Sequence, residues 1–361
     1  MLAKRAWYSA GWSSELVDGP LQRRILGQEV VLFRDAEGEA VALSAVCPHR
    51  GANLGLGCVV EGTVECPFHG WRFNNEGECT KVPSQPEWKK IPNRAKVPKF
   101  TLCEQQGILW IWMDQDTAPD KGPISYDFLN EDCGMTRVLD DARFVEAPYV
   151  SVVENAIDNS HPAFIHPGTL AGEPQVVEEQ TVVIDGDECG LWAQLDPNSA
   201  WKQPSEGTKG MLGQWRKAIG ITELDKDRCY FRFDLGGVVY FYDTFTNGET
   251  QVGFVCVTPA DETHTWFFGE HIRSYANKGL IKVVTSHAIK KWMAALNEED
   301  VIWSELLWSA DTPDGLPSPL SVVADRPALG FRKVYRNACE RERCTNDSLV
   351  DLEKHRNQGG M

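Results

Sequence analysis

The chain has 361 residues and a formal net charge of −16, with 42% hydrophobic, 10% aromatic and 24% charged residues. That length can hold two domains with separate cores, and that charge repels nucleic acid and anionic membrane surfaces. No apolar run approaches the roughly 20 residues needed to cross a bilayer, and the opening MLAKRAWYSAGW lacks the apolar core of a secretory signal; a cytoplasmic protein with no nucleic-acid or membrane partner is expected.

Residues 5–117 read as short strands separated by Gly- and Asp-rich turns, among them Glu29–Phe33, Ala40–Leu43 and Gly107–Trp112. They predict a small antiparallel β domain. The polar run Asp114–Pro123 holds two prolines and a glycine and marks a boundary, giving domains over 1–117 and 118–361. In the second domain, residues 150–166 suggest a helix broken at Pro162. Residues 176–270 contain β-like runs such as Val238–Tyr242 and Gln251–Val257. A long helix is predicted from about Asn277 to Trp308, and the polar tail after Glu340 is expected to be loose. The fold class expected is α+β.

Eleven cysteines, an odd number spread along a chain without a secretory signal, are not a disulfide framework. Two of them pair with histidine: Cys47-Pro-His49-Arg-Gly and, sixteen residues on, Cys66-Pro-Phe-His69-Gly-Trp. Two thiolates and two imidazoles make a four-ligand site. Zinc is one candidate, but zinc fingers pair Cys with Cys and His with His, whereas each loop here supplies one of each. That arrangement suits two sulfide-bridged irons, thiolates on one and imidazoles on the other. Neutral imidazole in place of thiolate lowers the negative charge and eases reduction.

A second constellation reads Asn155-Ala-Ile-Asp158-Asn-Ser-His161-Pro-Ala-Phe-Ile-His166. Positions five apart do not align on a regular helix, but Pro162 can loosen it so that both rings converge. Two histidines and one carboxylate form the facial triad of non-haem Fe(II) oxygenases, which leaves positions open for O2 and substrate. Taken alone, H-x4-H equally fits two capping or surface histidines. Asp158 reads as a third ligand, as a carboxylate orienting a ligand histidine, or as an ordinary helix-terminal acid. The long helix offers Glu298, Glu299, Asp300 and Glu305 as further carboxylates. Asp300 shares a stripe with Met293, Leu296, Trp303 and Leu307, and Glu299 shares one with Trp292, Ala295, Trp303 and Leu306, so periodicity does not choose between them; Glu298, near Lys291, reads as solvated.

The first motif closely resembles the Rieske pattern C-x-H-x16-C-x-x-H, extended here through Cys-Pro-His-Arg-Gly and Cys-Pro-Phe-His-Gly-Trp-Arg-Phe. With the N-x-x-D-x-x-H-x4-H segment, the chain resembles the oxygenase component of Rieske non-haem iron oxygenases. The resemblance is to the monooxygenase and demethylase branch, such as vanillate, dicamba and caffeine demethylases. It implies an N-terminal antiparallel β Rieske domain and a helix-grip-like catalytic domain, an antiparallel sheet with helices. By the same resemblance Cys47, His49, Cys66 and His69 hold a 2Fe–2S cluster, and His161, His166 and Asp300 ligate a mononuclear Fe(II). The family's late Asp is followed about a turn later by Glu, which fits Asp300 with Glu305. The family's aspartate bridging neighbouring subunits falls on Asp158, facing His69 of one chain and His161 of the next in a homotrimer. The closing Ser321–Asp325 and Phe331–Lys333 also resemble that branch.

Such an enzyme passes single electrons from cluster to iron and uses O2 to oxidise a small organic substrate. The chain has no G-x-G-x-x-G nucleotide motif, so electrons from NAD(P)H are expected through a separate flavin reductase, a ferredoxin, or both. Residues 81–99 carry a local charge of +5, a docking face for an acidic partner or a solvated loop. Aromatic residues at Trp201, Trp215, Phe231, Phe233, Tyr240, Tyr242 and Phe245 suit a flat substrate, although most suit a core equally well. A ring dioxygenase, and a Rieske electron carrier with a partner-binding second domain, are the competing readings. Three irons per chain fit an oxygenase and two fit a carrier.

Overall fold

A computed structural model describes residues 2–17, 19–166, 169–170, 181–195, 226–307 and 321–358; Trp201, Trp215 and Trp308 lie outside them. Among the described residues no helix is long and apolar enough to cross a membrane. The chain divides into two compact units. One comprises Lys4–Ser125 with Thr258–Glu262, and the other Tyr126–Val257, the chain from Thr263 onward and Met1–Ala3.

The N-terminal unit holds ten strands: β1 (Trp7–Trp12), β2 (Leu21–Ile25), β3 (Gln28–Arg34), β4 (Ala40–Ser44), β5 (Cys58–Val60), β6 (Thr63–Glu65), β7 (Arg72–Phe73), β8 (Cys79–Lys81), β9 (Lys99–Gln105) and β10 (Ile108–Trp112). They form two antiparallel sheets, β1-β10-β9-β4-β3-β2 and β5-β6-β7-β8. Three hairpins turn on an X-Gly pair with both residues at positive φ: Leu26-Gly27, Glu61-Gly62 and Gln106-Gly107. Such turns match the twist of the strands they join. The core between the sheets is apolar, with Val31, Phe33, Leu43, Leu54, Val64 and Phe73 fully buried. The run Asp114–Pro123 is tied to this unit: Asp114 accepts from Arg5 Nε at 2.7 Å, and Trp7 and Trp112 donate to the carbonyls of Lys121 and Thr117.

The C-terminal unit is built on an eight-stranded antiparallel sheet: β11 (Thr136–Leu139), β12 (Arg143–Val145), β13 (Val182–Ile184), β14 (Gly190–Leu195), β15 (Lys226–Asp234), β16 (Val238–Phe245), β17 (Thr250–Pro259) and β18 (Thr265–Arg273). The order is β11-β18-β17-β16-β15-β14-β13, with β12 on β18. The helices are α1 (Tyr149–Ile157), a single turn α2 (Pro162–Ile165), α3 (Gly279–Leu307) and α4 (Arg326–Gln358). Helix α3 packs on β11, β12 and β18, α4 packs on β13 and β14, and α1 touches both helices. This is the expected α+β arrangement of an antiparallel sheet with helices.

Local details depart from the sequence reading in two places. The helix over 150–166 ends at Ile157, four residues before the expected break. A proline ring clashes with the carbonyl four residues earlier, so Pro162 forbids continuing through Asp158, whose backbone is extended. Pro162 instead starts α2 at its first position, where its missing N–H is harmless. The tail after Glu340 is not loose: α4 runs to Gln358, and its Glu-, Arg- and Leu-rich sequence favours helix.

Strands β15 and β16 turn through Leu235-Gly236-Gly237. Gly237 has φ +86° and a Cβ there would lie 1.8 Å from the Val257 carbonyl oxygen, whereas Gly248, at φ +82°, has open space. Gly248→Ala is expected to cost about 1–2 kcal/mol, the left-handed strain alone. Gly237→Ala adds the clash and should lower the thermal midpoint clearly further; equal shifts in a melting comparison would contradict this geometry.

Candidate metal centres and their cavity

Two loops of the N-terminal unit are near copies of each other. Each begins at a buried cysteine and closes at a glycine: Gly51 N donates to Cys47 O and Gly70 N to Cys66 O, both at 2.9 Å. Each cysteine N donates five residues forward, Cys47 to Ala52 O and Cys66 to Trp71 O. The closing glycines have φ +73° and +69°, which a side chain would strain. The result puts both thiols inside, 2% exposed, and both imidazoles outside. His49 and His69 lie 4.7 Å apart by ring centroid, and Trp71 stacks on His49 at 4.6 Å. Burial pushes the Cys47 thiol up to about 11, with Cys66 adding to the shift. A bound cation reverses this, since a coordinating thiol is deprotonated. Two inward thiols and two adjacent outward imidazoles fit a cluster with one buried and one exposed iron.

In the C-terminal unit the chain brings His161, His166 and Asp300 together, with one ligand atom from each inside 4.8 Å. Asp300 Oδ1 lies 3.1 Å from His166 Nε2 and 3.6 Å from His161 Nε2. Both Nδ1 atoms turn to other carboxylates: His161 to Asp158 Oδ2 at 3.2 Å and His166 to Glu299 Oε2 at 2.8 Å. Both rings therefore point Nε2 at one spot and hold Nδ1 against an acid. A carboxylate behind a ligand histidine fixes its tautomer and raises its basicity. Asn155 Nδ2 donates to Asp300 at 3.0 Å, and Thr169 Oγ1 to Glu299 at 2.6 Å. Two imidazoles and a carboxylate with an open side fit a borderline metal such as Fe(II).

Electrostatics agree with this division. Burial disfavours the Asp158 carboxylate, but the His161 ring and two Ser160 donors outweigh it and hold its pKa below the ordinary value. Burial disfavours protonated His166, yet Asp300 and then Glu299 raise its pKa. Of the other candidates, Glu298 is exposed and pairs with Arg143, and Glu305 accepts from Glu146 N at 3.0 Å. The helical stripes drawn from sequence fail at one end, because Trp303 is 40% exposed. The face toward the site instead carries Met293, Leu296, Asn297, Asp300, Val301 and Ser304.

A cavity of about 180 Å³ opens beside the triad, walled by Phe241, Phe267, Trp292, Met293 and Leu296. The wall aromatics differ from those singled out in sequence. Phe231, Phe233 and Phe245 are buried away from it, and Phe241 faces it from between Tyr240 and Tyr242. The period-two alternation of β16 carried that signal. Of the basic loop, Lys96 and Lys99 pair with Glu78 and Glu76, while Trp88, Lys89 and Lys90 stay exposed.

Residues 6–100 match the Rieske [2Fe-2S] domain, and residues 145–341 match the vanillate O-demethylase oxygenase C-terminal domain. Methylxanthine N1-demethylase NdmA of Pseudomonas putida is 36% identical over 350 residues, covering 89% of this chain and 83% of that one. A toluene-4-sulfonate monooxygenase system iron-sulfur subunit of Comamonas testosteroni is 32% identical over 222 residues, which span 60% of this chain and 63% of that subunit. The crystal structure of dicamba monooxygenase bound to dicamba superposes with a TM-score of 0.78 at 22% identity, over 96% of this chain and 99% of that one, a likeness of fold. The chain belongs to the Rieske non-haem iron oxygenases and is an oxygenase component related to their monooxygenases and demethylases.

Glu299 lies behind His166 rather than among the converging atoms, so Glu299→Gln should weaken Fe(II) binding roughly 10–100-fold. Anaerobic Fe(II) titration checks this, and the Rieske absorption should not change.

Proposed function

We propose that this protein is the terminal oxygenase of a multicomponent system, using O2 and externally supplied electrons to hydroxylate or oxidatively demethylate a small aromatic or cyclic compound. The observation that carries it is the convergence of His161, His166 and Asp300 at the end of a mostly apolar cavity. In this reading Cys47 and Cys66 hold one iron of the cluster, His49 and His69 the other, and His161, His166 and Asp300 hold the mononuclear iron. Once bound, the cluster supplies single electrons and the mononuclear iron supplies O2 activation. The chain supplies the rest. Asp158 and Glu299 lock the two imidazoles, Asn155 steadies Asp300, and Phe241, Phe267 and Trp292 hold a flat molecule against the site while excluding water.

Asp158 has a second role in this proposal. Its carboxylate is 31% exposed and keeps acceptor capacity beyond the His161 and Ser160 contacts. His69, also exposed, can donate to it from a neighbouring copy. A heterologous contact of this kind closes into a ring, and we assign a homotrimer. The electrons come from NAD(P)H through a flavin reductase or ferredoxin, and the exposed Trp88, Lys89 and Lys90 of the Rieske unit suit docking of an acidic partner.

Iron analysis of the reconstituted protein should give three irons per chain and a reduced Rieske EPR signal. His161→Ala and Asp300→Ala should each lose one iron and keep that signal; retention of iron and turnover by Asp300→Ala sinks the ligand assignment. Asp158→Asn should keep both metals and the trimer but fail to oxidise a pre-reduced cluster in a single turnover with substrate and O2. Wild-type single-turnover kinetics in that variant, or a fully active monomer, would refute the bridging role.

A further inference from the structure

Between Trp292 and Asp300, helix α3 lines the cavity with Met293, Leu296 and Asn297, and of these three only Asn297 is polar. It stands one turn before Asp300, about 4.5 Å along the helix axis. Asn297 is 7% exposed, and its Nδ2 donates to Asp140 Oδ2 at 2.7 Å. Asp140 follows β11, is buried, and accepts at the same oxygen from Arg143 Nε at 3.3 Å. Arg143 is in turn tied to α3, donating to Ala294 O at 3.0 Å and to Glu298 Oε2 at 2.6 Å. Gly269 of β18, which also lines the cavity, completes the group. Its carbonyl accepts from Asp140 N at 2.8 Å, and a Cβ there would lie 2.9 Å from Asn297 Nδ2.

A carboxylate only accepts hydrogen bonds, whereas a side-chain amide has an NH2 end that donates and a carbonyl end that accepts. Asp140 therefore selects the orientation of Asn297: the NH2 faces the acid, and the carbonyl is the end left for the cavity. A flipped amide would set its oxygen against the carboxylate. Arg143 keeps Asp140 in place, and the bare backbone of Gly269 gives the amide room to reach it. Among the described residues nothing donates to Asn297 Oδ1. An acceptor set in an apolar wall is costly to leave unmet, and a few such fixed polar groups orient the molecule that enters a pocket. A carbonyl oxygen attracts N–H and O–H groups and repels oxyanions. Its place one turn from Asp300 puts the matching donor near the reacting end of the substrate.

We propose that Asn297 is a specificity-determining residue that accepts a hydrogen bond from a neutral N–H or O–H of the substrate, with Asp140 and Gly269 as positioning residues that aim its carbonyl. This deepens the oxygenase reading and rests on it. The competing reading is an amide that only ties α3 to the end of β11 and leaves its carbonyl to water.

Calorimetric titration of the anaerobic holoenzyme with 2-methylphenol, 2-methylaniline and 2-fluorotoluene decides between them. The three are of similar size, and only the first two carry a donor. Both donors should bind more tightly than 2-fluorotoluene, although the fluoro compound is the more easily desolvated. Asn297→Leu should lower that ratio at least tenfold and leave 2-fluorotoluene binding within twofold of wild type. Gly269→Ala, which pushes the amide off Asp140 without removing it, should lower the same ratio. A purely structural Asn297 would shift the thermal midpoint in these variants and leave the ratio alone. A wild-type ratio of one or below, or an undiminished ratio in Asn297→Leu, overturns the proposal. Should Asn297→Leu not fold, the wild-type ratio and Gly269→Ala carry the test, and an undiminished ratio in Gly269→Ala then overturns it. Iron content separates this inference from the reading beneath it. Three irons with no donor preference overturns the role of Asn297 alone; a donor preference without the third iron overturns the oxygenase reading.

Discussion

The catalytic half depends on one backbone constraint: the chain must leave helix at Asp158 and re-enter it at Pro162. His161 precedes α2 and His166 ends it, with Ile165 N donating to His161 O and His166 N to Pro162 O, so the two histidines flank a single helical turn. The extended residue at Asp158 lies upstream of both histidines, so the break sets the direction of that turn as a whole rather than the angle between the two rings. Both Nε2 atoms then face Asp300. The same break frees Asp158 to fold back on His161 Nδ1. A proline that would damage a helix interior thus creates the site by ending one helix and starting the next.

Around that break the carboxylates divide the work by position. Adjacent residues on a helix point about 100° apart, so Glu299 and Asp300 cannot serve the same face. Asp300 meets the Nε2 atoms and Glu299 the Nδ1 of His166. Each imidazole is held at Nδ1 by a carboxylate, which favours the tautomer that leaves Nε2 free for a metal. The sheet supplies the rest of the chamber, with Phe241, Phe267 and His271 among its lining residues.

The N-terminal unit solves a different problem by repetition. Two five-residue loops with the same hydrogen bonds and the same left-handed glycine bring a cysteine inward and a histidine outward twice. Because the histidine is third in one loop and fourth in the other, the rings converge without overlapping. Outward imidazoles leave the exposed edge of the site free for a redox partner, while the thiols are buried in the apolar core.

Cys47, His49, Cys66, His69, His161 and His166 were legible in the sequence because each pair lies within a few residues, and short loops restrict where such side chains can go. Strands β3, β4, β16 and β17 were legible for the same local reason, through apolar alternation between turn residues. The third ligand candidate was not legible from periodicity, and only the family resemblance pointed to Asp300. Asp300 and Glu299 have similar apolar neighbours at helical spacing, and only the sheet opposite α3 gives that helix an inside, exposing Trp303 and turning Asp300 to the histidines. The support of His166 by Glu299 joins residues 133 apart. Spacing along the chain determined which residues could ligate. Tertiary packing decided which carboxylate faces both histidines, because burial and pairing are properties of surfaces that the chain brings together only when it folds.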